Sequence, residues 1–348
     1  MITYGSLASG IGGLDLAIKS VLDARLTFKA EYDKYASTVH DKHWPNVPNL
    51  GDITKIDWEN VEPIDLLTGG YPCQPFSSAG NRKGFDDPRN LWPHFAKAIC
   101  VLRPKYIFLE NVSAHLSLGF GRVLGDLAEA GYDAEWGVFY ASDIGAPHRR
   151  ARIFIFAYSD GSRQLQPKRD FAKFGGRTSD GDFALFPTLT ATQSWNDPEK
   201  HMMWRKSDGH NLPTDLGIAL QLLETKSKLL PTLVARDHKG VTSENWNTLD
   251  VAKAPYSISK NDGNKFDYGI YQSAIDRWEF ITGAPSPYPL EKKRLSPEFA
   301  EWMMGFPIGW TGDHSTTQRL KMLGNAVVPH QGALALWSLL ERREVTNG

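Results

Sequence analysis

The sequence predicts an α/β protein whose main sheet is mostly parallel, followed by a smaller irregular region. Over residues 1 to about 160, short apolar runs alternate with stretches of helical spacing. This alternation is typical of parallel strands joined by crossover helices. From Ser159 to about Leu290 the chain changes to short pieces rich in Gly, Pro, Asn, Asp and Ser, which indicates a second, irregular domain.

The individual elements follow from apolar runs and from helical periodicity. The predicted strands are Ile2–Leu7, Phe28–Glu31, Asp65–Thr68, Tyr106–Glu110 and Arg152–Ala157. The predicted helices are Leu14–Leu22, Leu91–Leu102, Phe120–Ala130 and Gln331–Leu340. A further helix is expected to begin at Pro297, because Ser296 suits an N-cap and proline suits the first helical position.

Composition indicates a soluble globular protein and gives no argument for a nucleic-acid partner. The 348 residues carry a net charge of −1, with 41% hydrophobic and 23% charged residues. Any nucleic-acid surface must therefore be local. The N-terminus lacks the pattern of a signal peptide and the chain has no apolar run of membrane-spanning length, so we expect a cytoplasmic protein with no membrane contact.

The two cysteines exclude a disulfide scaffold and fit a reducing compartment. Cys73 follows a buried strand and a Gly-Gly break, and it lies between Pro72 and Pro75 in the run Pro-Cys-Gln-Pro. This pattern predicts a thiol on a stiff loop at the carboxyl edge of the sheet, where α/β proteins bind ligands. Considered alone, such a cysteine is more often a packing residue. Cys100, within an apolar helix, is interpreted as a packing residue.

A glycine-rich turn after the first strand is a candidate site for an anionic or nucleotide ligand. Gly10, Gly12 and Gly13 would let backbone N–H groups approach a ligand at a helix N-terminus. The turn departs from the dinucleotide fingerprint, because Asp15 stands where a third Gly or Ala is expected. A tight strand-to-helix turn without a ligand is the alternative.

Three residues after the next strands suit a nucleoside. Glu31 lies 21 residues after Gly10, at the end of the second strand, where a carboxylate can accept ribose hydroxyls. Tyr32 could pack on an adenine ring. Asp52, which follows another expected strand, could accept a hydrogen bond from the adenine amino group. Each has the alternative of an ordinary surface-loop residue.

Acidic and basic residues are predicted at the same edge of the sheet as Cys73. Glu110 ends the strand Tyr106–Glu110, and Arg150 and Arg152 would point to one face if their strand began early. A solvated glutamate and a plain basic loop are the alternatives. A thiol, a carboxylate and two guanidiniums around one crevice suit nucleophilic catalysis with acid–base assistance.

In their order and spacing these motifs resemble the DNA cytosine-5 methyltransferases. The resemblance implies a Rossmann-like S-adenosylmethionine-dependent methyltransferase fold, with a catalytic domain at residues 1–160, completed by residues 318–348, and a target-recognition domain at residues 161–317. Five motifs carry the resemblance: the turn from Ser6 to Gly13, Pro72-Cys73-Gln74, Glu110-Asn111-Val112, Arg294 to Glu298, and Gly324 to Pro329. Two positions depart from the family pattern, since Ala8 replaces a Phe and His148 replaces a Gln.

The resemblance also implies roles for individual residues. The implied catalytic residues are Cys73 as nucleophile, Glu110 as acid, and Arg150 and Arg152 as supporting groups. The implied cofactor-binding residues are Leu7, Ala8, Gly10, Ile11, Gly12, Gly13, Glu31, Tyr32, Asp52, Ile53, Pro72, Leu91, Asn325 and Ala326. S-adenosylmethionine is the implied cofactor and S-adenosylhomocysteine its product, and no metal is expected.

The implied reaction methylates carbon 5 of a cytosine flipped out of duplex DNA, through a covalent bond between Cys73 and carbon 6. Ser77, Arg82 and Lys83 are implied DNA contacts in a loop that closes over the substrate. The resemblance implies a monomeric bacterial or phage protein at the nucleoid, with a cognate restriction endonuclease as a potential partner. A transfer-RNA cytosine-5 methyltransferase and a non-catalytic DNA-binding relative are the alternatives.

Overall fold

The protein is described by a computed structural model at residues 1–71, 90–159, 161–162, 165–168, 229–230, 233, 266, 268, 271–291 and 294–346. The chain divides into two compact units. The first unit contains Met1–Tyr140, Ala151–Pro167 and Ala326–Gly348. The second unit contains Ala141–Arg150 and Lys168–Asn325.

The described part of the first unit contains a six-stranded sheet in the order β2-β1-β3-β4-β6-β5. Strands β1 to β4 are parallel to one another, and β6 is antiparallel to its neighbours β4 and β5. The predicted, mostly parallel sheet is therefore confirmed. The strands are β1 Ile2–Leu7, β2 Ala24–Ala30, β3 Leu66–Gly70, β4 Tyr106–Val112, β5 Tyr132–Tyr140 and β6 Ala151–Ser159.

The helices of the first unit bury their apolar side chains in its core. In α1 the buried residues include Leu14, Ala17, Ile18 and Val21, which recur at helical spacing. The last helix of the chain returns to this unit, since a Cβ on Gly332 would lie 3.0 Å from the side chain of Ala17. The helices are α1 Gly13–Val21, α2 Lys34–His43, α3 Trp92–Leu102, α4 Phe120–Glu129 and, from the end of the chain, α8 Pro329–Thr346.

The second unit has a core of aromatic residues. The indole of Trp278 donates a hydrogen bond of 2.8 Å to the Trp302 carbonyl, and both side chains are buried. The predicted cap is confirmed, because the Ser296 hydroxyl accepts a hydrogen bond from the Phe299 N–H. The described elements are α5 Gln272–Thr282, β7 Leu290–Glu291, β8 Arg294–Leu295, α6 Pro297–Met303 and α7 Thr316–Asn325.

A buried carboxylate organises the turn between α6 and α7. Glu301 is fully buried and accepts hydrogen bonds from the N–H groups of Gly309 and Thr311 at 2.6 and 2.8 Å. The Arg319 guanidinium lies 3.0 Å from the same carboxylate and 2.6 Å from that of Glu298. A buried charge of this kind is tolerated because every oxygen has donors around it.

Four expectations differ from the structure. The strand expected before Gly51 is reduced to an isolated bridge between Lys29 and Asn49. Strand β6 begins at Ala151, so Arg150 precedes it and does not alternate with Arg152 along one face. Cys100 is exposed on α3 and is not a packing residue. Helix α5 lies inside the stretch that the sequence predicted to be irregular.

Of the helices in the described part of the chain, none has the length and apolar character needed to cross a membrane.

Candidate active site

Parallel strands bring the predicted site residues of the first unit to one edge of the sheet. Strands β1 to β4 run in the same direction, so their carboxyl ends share that edge. The glycine-rich turn follows β1, Glu31 follows β2, Tyr71 follows β3, and Glu110 lies near the end of β4. This edge is where open α/β sheets bind their ligands.

The glycine-rich turn after β1 has an unusual backbone that depends on glycine. Gly10 and Gly12 have φ angles of 56° and 89°, and even Ala8 is left-handed at 47°. Gly12 caps the N-terminus of α1. A Cβ at Gly12 would lie 2.5 Å from the Trp44 ring, so a larger residue would displace that ring and would also strain the left-handed backbone.

The turn and the carboxylate after β2 are joined directly. Glu31 accepts a hydrogen bond of 2.7 Å from the Gly10 N–H and another of 2.7 Å from the Asp33 N–H, each at a different oxygen. The Gly10 N–H, predicted to face a ligand, thus orients Glu31. Burial raises the pKa of the Glu31 carboxyl, and these two hydrogen bonds act in the opposite direction.

Asn49 also holds Glu31 in place, and sequence reasoning missed it. Its side-chain oxygen accepts the Glu31 N–H at 3.0 Å, and its amide donates to the Glu31 carbonyl at 3.1 Å. The same oxygen accepts the Gly51 N–H at 3.0 Å. The only sequence signal for this role is an asparagine two residues before a glycine with a φ of 76°.

The other predicted nucleoside residues occupy different environments. Tyr32 is 78% exposed beside Glu31. Asp52 accepts a hydrogen bond of 3.0 Å from the Thr54 N–H, which lowers the pKa of its carboxyl. Three further residues that were implied to bind the cofactor have side chains buried in the hydrophobic core, namely Leu7, Ile11 and Ile53.

The end of the chain supplies one wall of the glycine-rich turn. A Cβ on Gly13 would lie only 2.3 Å from the Val327 carbonyl oxygen, so these backbones are in close contact. Ala326, predicted to line the cofactor site, is the buried residue before Val327. Asn325, predicted with it, is exposed at the end of α7 in the second unit.

Glu110 and Arg152 form an ion pair at the same sheet edge. The Arg152 Nε lies 2.8 Å from Glu110 Oε1, and the two side chains are 17% and 12% exposed. Gly70 is the register partner of Glu110, and a Cβ there would come within 3.1 Å of Glu110 Oε2. The carboxylate is thus held on one side by a guanidinium, and a glycine leaves room on the other.

Asn111 ties the acid-bearing strand to the end of β3. Its amide donates a hydrogen bond of 3.1 Å to the Tyr71 carbonyl, immediately before Pro72. The Tyr71 ring packs on Trp92 at 5.2 Å and on His115 at 5.5 Å between ring centroids. Leu91, a predicted cofactor residue, precedes α3 and is partly buried against this core.

Arg150 belongs to the second unit, whereas Arg152 belongs to the first. Its guanidinium is buried and donates hydrogen bonds to the Leu233 carbonyl at 2.8 Å and to the Gly324 carbonyl at 3.0 Å. These contacts suit a residue that holds backbone in place. The predicted site residues that lie outside the described residues are Pro72, Cys73, Ser77, Arg82 and Lys83.

Within the part of the chain that the structure describes, no group of three or more His, Cys, Asp or Glu side chains is placed to hold a metal ion. The sheet, the glycine-rich turn and the carboxylate after β2 define an α/β protein with a candidate site at one sheet edge, where an acid–guanidinium pair also lies. The C-5 cytosine-specific DNA methylase family matches residues 2–333, and the chain belongs to this family. It is an enzyme, a DNA cytosine-5 methyltransferase.

Relatives support this assignment across the chain. The Type II methyltransferase M.NlaX of Neisseria lactamica is 35% identical over 340 residues, which cover 94% of this chain and 93% of that protein. The Type II methyltransferase M.SsoII of Shigella sonnei is 35% identical over 346 residues, covering 94% and 78%. The S. pombe Dnmt2 methyltransferase has a similar fold, with a TM-score of 0.58 at 17% identity over 99% of both chains.

Proposed function

We propose that this enzyme transfers a methyl group from S-adenosylmethionine to carbon 5 of a cytosine flipped out of a specific duplex DNA sequence. The observation that carries the proposal is the Glu110–Arg152 pair. Glu110 is the register partner of Gly70, the last residue of β3, and Pro72 and Cys73 follow β3 in the sequence. Family membership supports the substrate class, and the Pro72-Cys73-Gln74 motif supports a covalent route.

The described residues fit an adenosyl cofactor. Each oxygen of Glu31 accepts one backbone N–H and keeps a second lone pair, with which it would accept a ribose hydroxyl. Tyr32 would pack on the adenine, and Asp52 would accept its amino group. S-adenosylmethionine, when bound, supplies an electrophilic sulfonium methyl group, and S-adenosylhomocysteine is the product.

Cys73 is the proposed nucleophile. As a thiolate it forms a bond to carbon 6 of the cytosine, and the displaced electron pair makes carbon 5 nucleophilic enough to be methylated. Afterwards carbon 5 loses its proton to a base, the bond to Cys73 breaks, and the ring regains its aromaticity. The thiolate is regenerated in that last step.

Glu110 and Arg152 act on the cytosine ring in this proposal. Glu110 hydrogen-bonds or protonates ring N3 as negative charge accumulates there. Arg152 orients Glu110 and binds the carbonyl oxygen of the base. Arg150 is a positioning residue, since its guanidinium is engaged by the carbonyls of Leu233 and Gly324.

The DNA itself would be held outside the catalytic pocket. Flipping the target base costs a few kcal/mol, which DNA contacts must offset. We propose that Ser77, Arg82 and Lys83 contact the backbone and that residues 161–317 read the sequence. We further propose a monomer that works at the nucleoid in the cytoplasm, with a cognate endonuclease as its functional partner.

The test is expression in a host that lacks cytosine methylation, followed by bisulfite sequencing of its DNA. We expect 5-methylcytosine at one short motif with the wild-type enzyme and none with Cys73→Ser, whose folding is checked by circular dichroism. A duplex of the mapped motif with 5-fluorocytosine at the target should then trap wild-type enzyme covalently.

Two outcomes would contradict the proposal. Unmodified host DNA and no covalent adduct, with wild-type enzyme that is folded, would favour a non-catalytic DNA-binding relative. Transfer of tritiated methyl groups to purified transfer RNA but not to duplex DNA would replace the substrate.

A further inference from the structure

Beneath the glycine-rich turn lies a buried chain of ionisable side chains that the proposed reaction does not use. Asp15 of α1, Lys29 of β2 and His40 of α2 are each 0% exposed. The Lys29 ammonium lies 3.0 Å from His40 Nδ1, and His40 Nε2 lies 3.2 Å from Asp15 Oδ2. Lys29 also pairs with the Asp41 carboxylate. We call these three residues, Asp15, Lys29 and His40, the buried triad.

The chemistry of the groups fixes the direction of each hydrogen bond. An ammonium can only donate, so His40 Nδ1 accepts from Lys29. The ring N–H of His40 that remains is on Nε2, and it donates to the Asp15 carboxylate. The triad is a directed chain from an ammonium through an imidazole to a carboxylate, and it joins β2, α2 and α1.

The triad is connected to the cofactor side of the turn. The His40 ring stacks on Trp44 with centroids 4.3 Å apart, and the Trp44 ring lies against Gly12, the cap of α1. Lys29 is two residues before Glu31 on β2, and Asp15 lies in the first turn of α1. The positions of both the glycine-rich turn and Glu31 thus depend on elements that the triad joins.

Stability alone does not explain these residues. Burying three ionisable side chains is costly, and apolar residues of similar volume often stabilise a fold at least as well. What a directed hydrogen-bond chain adds is geometric specificity. The triad also gives a reason for Asp15, which stands where nucleotide-binding turns usually have a small residue.

We propose that Asp15, Lys29 and His40 are positioning residues that set the affinity for the cofactor by fixing the glycine-rich turn against Glu31. The inference rests on the proposed function, in which these two elements hold the adenosyl group. It predicts that breaking the triad weakens cofactor binding by more than the accompanying loss of stability accounts for.

The test is isothermal calorimetry of S-adenosylhomocysteine binding to the full-length enzyme, which needs no DNA. His40→Phe keeps the ring on Trp44 and removes both hydrogen bonds, and we expect affinity to fall by about tenfold or more. His40→Gln retains one donor and one acceptor and should recover most of that loss. Asp15→Asn should weaken binding by a smaller factor.

Tyr132→Phe is the matched control. It removes a buried hydrogen bond of 2.7 Å, from the Tyr132 hydroxyl to the Pro104 carbonyl, at the opposite end of the sheet order from β2. The control should lower the thermal midpoint without changing affinity for S-adenosylhomocysteine. The double variant Asp15→Asn/His40→Phe should bind no more weakly than His40→Phe, because the two residues act through one chain.

Equal affinities of wild type, His40→Phe and Asp15→Asn would overturn the inference and leave the proposed function standing. If His40→Phe does not fold, the inference is tested with Asp15→Asn and His40→Gln. An unchanged affinity of Asp15→Asn for S-adenosylhomocysteine would then contradict the role of the triad. Absence of S-adenosylhomocysteine binding by folded wild-type enzyme would instead contradict the proposed function.

Discussion

Arg152 holds the Glu110 carboxylate in a fixed orientation at the sheet edge. Its Nε contacts Glu110 Oε1 at 2.8 Å, in a pair that is mostly withdrawn from solvent. A planar guanidinium can hold a carboxylate and still present donors to a second acceptor, which an ammonium cannot do with the same geometry. In the proposed reaction the pair therefore combines orientation of the acid with recognition of the base.

Arg152→Lys is expected to lower kcat by about 100-fold, within the range by which a positioned acid–base group contributes. The ammonium would keep the charge but lose the planar guanidinium, whose Nε contacts Glu110 and whose Nη1 donates to the Ala151 carbonyl. Single-turnover methylation at saturating S-adenosylmethionine measures this. Affinity for S-adenosylhomocysteine should stay unchanged, and a kcat within threefold of wild type would contradict the role assigned to Arg152.

Glu31 should make cofactor affinity depend on pH. Burial raises the pKa of its carboxyl above the ordinary value of about 4.3. In the proposed function the carboxylate accepts the ribose hydroxyls, so affinity for S-adenosylhomocysteine should fall as pH decreases through the raised pKa. The folded state holds this proton more tightly than the unfolded chain, so the carboxyl's contribution to stability is lost as pH rises through the same range.

The measurement is a series of calorimetric titrations from neutral to mildly acidic pH, with Glu31→Gln as the comparison. The variant should bind more weakly at neutral pH, by about tenfold. It should also lose the acid-dependent fall in affinity. A wild-type affinity that is constant across the series would contradict the assignment of Glu31 to ribose.

At the scale of elements, the sequence predicted those whose apolar residues are buried in a clear pattern. Strands β1, β3 and β4 and helix α1 were predicted because most of their residues are buried and apolar. Helix α2 was missed because it is polar, and its buried residues are only Ala36, Val39 and His40. Strand β5 is mostly half-buried and lacks a clean alternation.

Only some of the side-chain contacts in the candidate site could be predicted from the sequence. Glu110 and Arg152 were predicted to share an edge, and the strand register brings them into contact. The contacts of Asn49, of Asn111 and within the buried triad were not predicted. Their partners lie 18, 40 and up to 25 residues away, and no local spacing encodes those contacts.

The joint between α6 and α7 should depend strongly on Glu301. Glu301→Gln is expected to lower the free energy of unfolding by about 3 kcal/mol, because it leaves the Arg319 guanidinium beside a neutral amide in a buried site. Urea denaturation monitored by tryptophan fluorescence would measure this change.

Glu298→Gln is the control for that variant, since Glu298 contacts the same arginine from a side chain that is 39% exposed. We expect it to cost less than about 1 kcal/mol, as partly exposed ion pairs do. Equal losses in the two variants would show that burial of Glu301 is not what matters.

At the scale of the whole molecule, a net charge of −1 means that DNA binding must come from a local surface. Arg82→Ala/Lys83→Ala should reduce the slope of log affinity against log salt concentration by about 2, one for each lost phosphate contact. Fluorescence anisotropy with the mapped duplex at several salt concentrations measures the slope.

Arg122→Ala removes a charge from α4, where the side chain is 59% exposed, and should leave the slope unchanged. A slope that is the same in all three proteins would remove Arg82 and Lys83 from the DNA surface. Weaker binding with an unchanged slope would contradict phosphate contacts as their role.

The return of the last segment to the first unit has a consequence for the order in which the protein folds. Val327 lies against Gly13, and the Gln331 amide donates to the Phe139 carbonyl, 192 residues earlier in the chain. Contacts so distant in sequence form late and slow the search for the native state. During synthesis on the ribosome, β1 and α1 must therefore wait for their final neighbour, and the glycine-rich turn is complete only after Val327 has emerged.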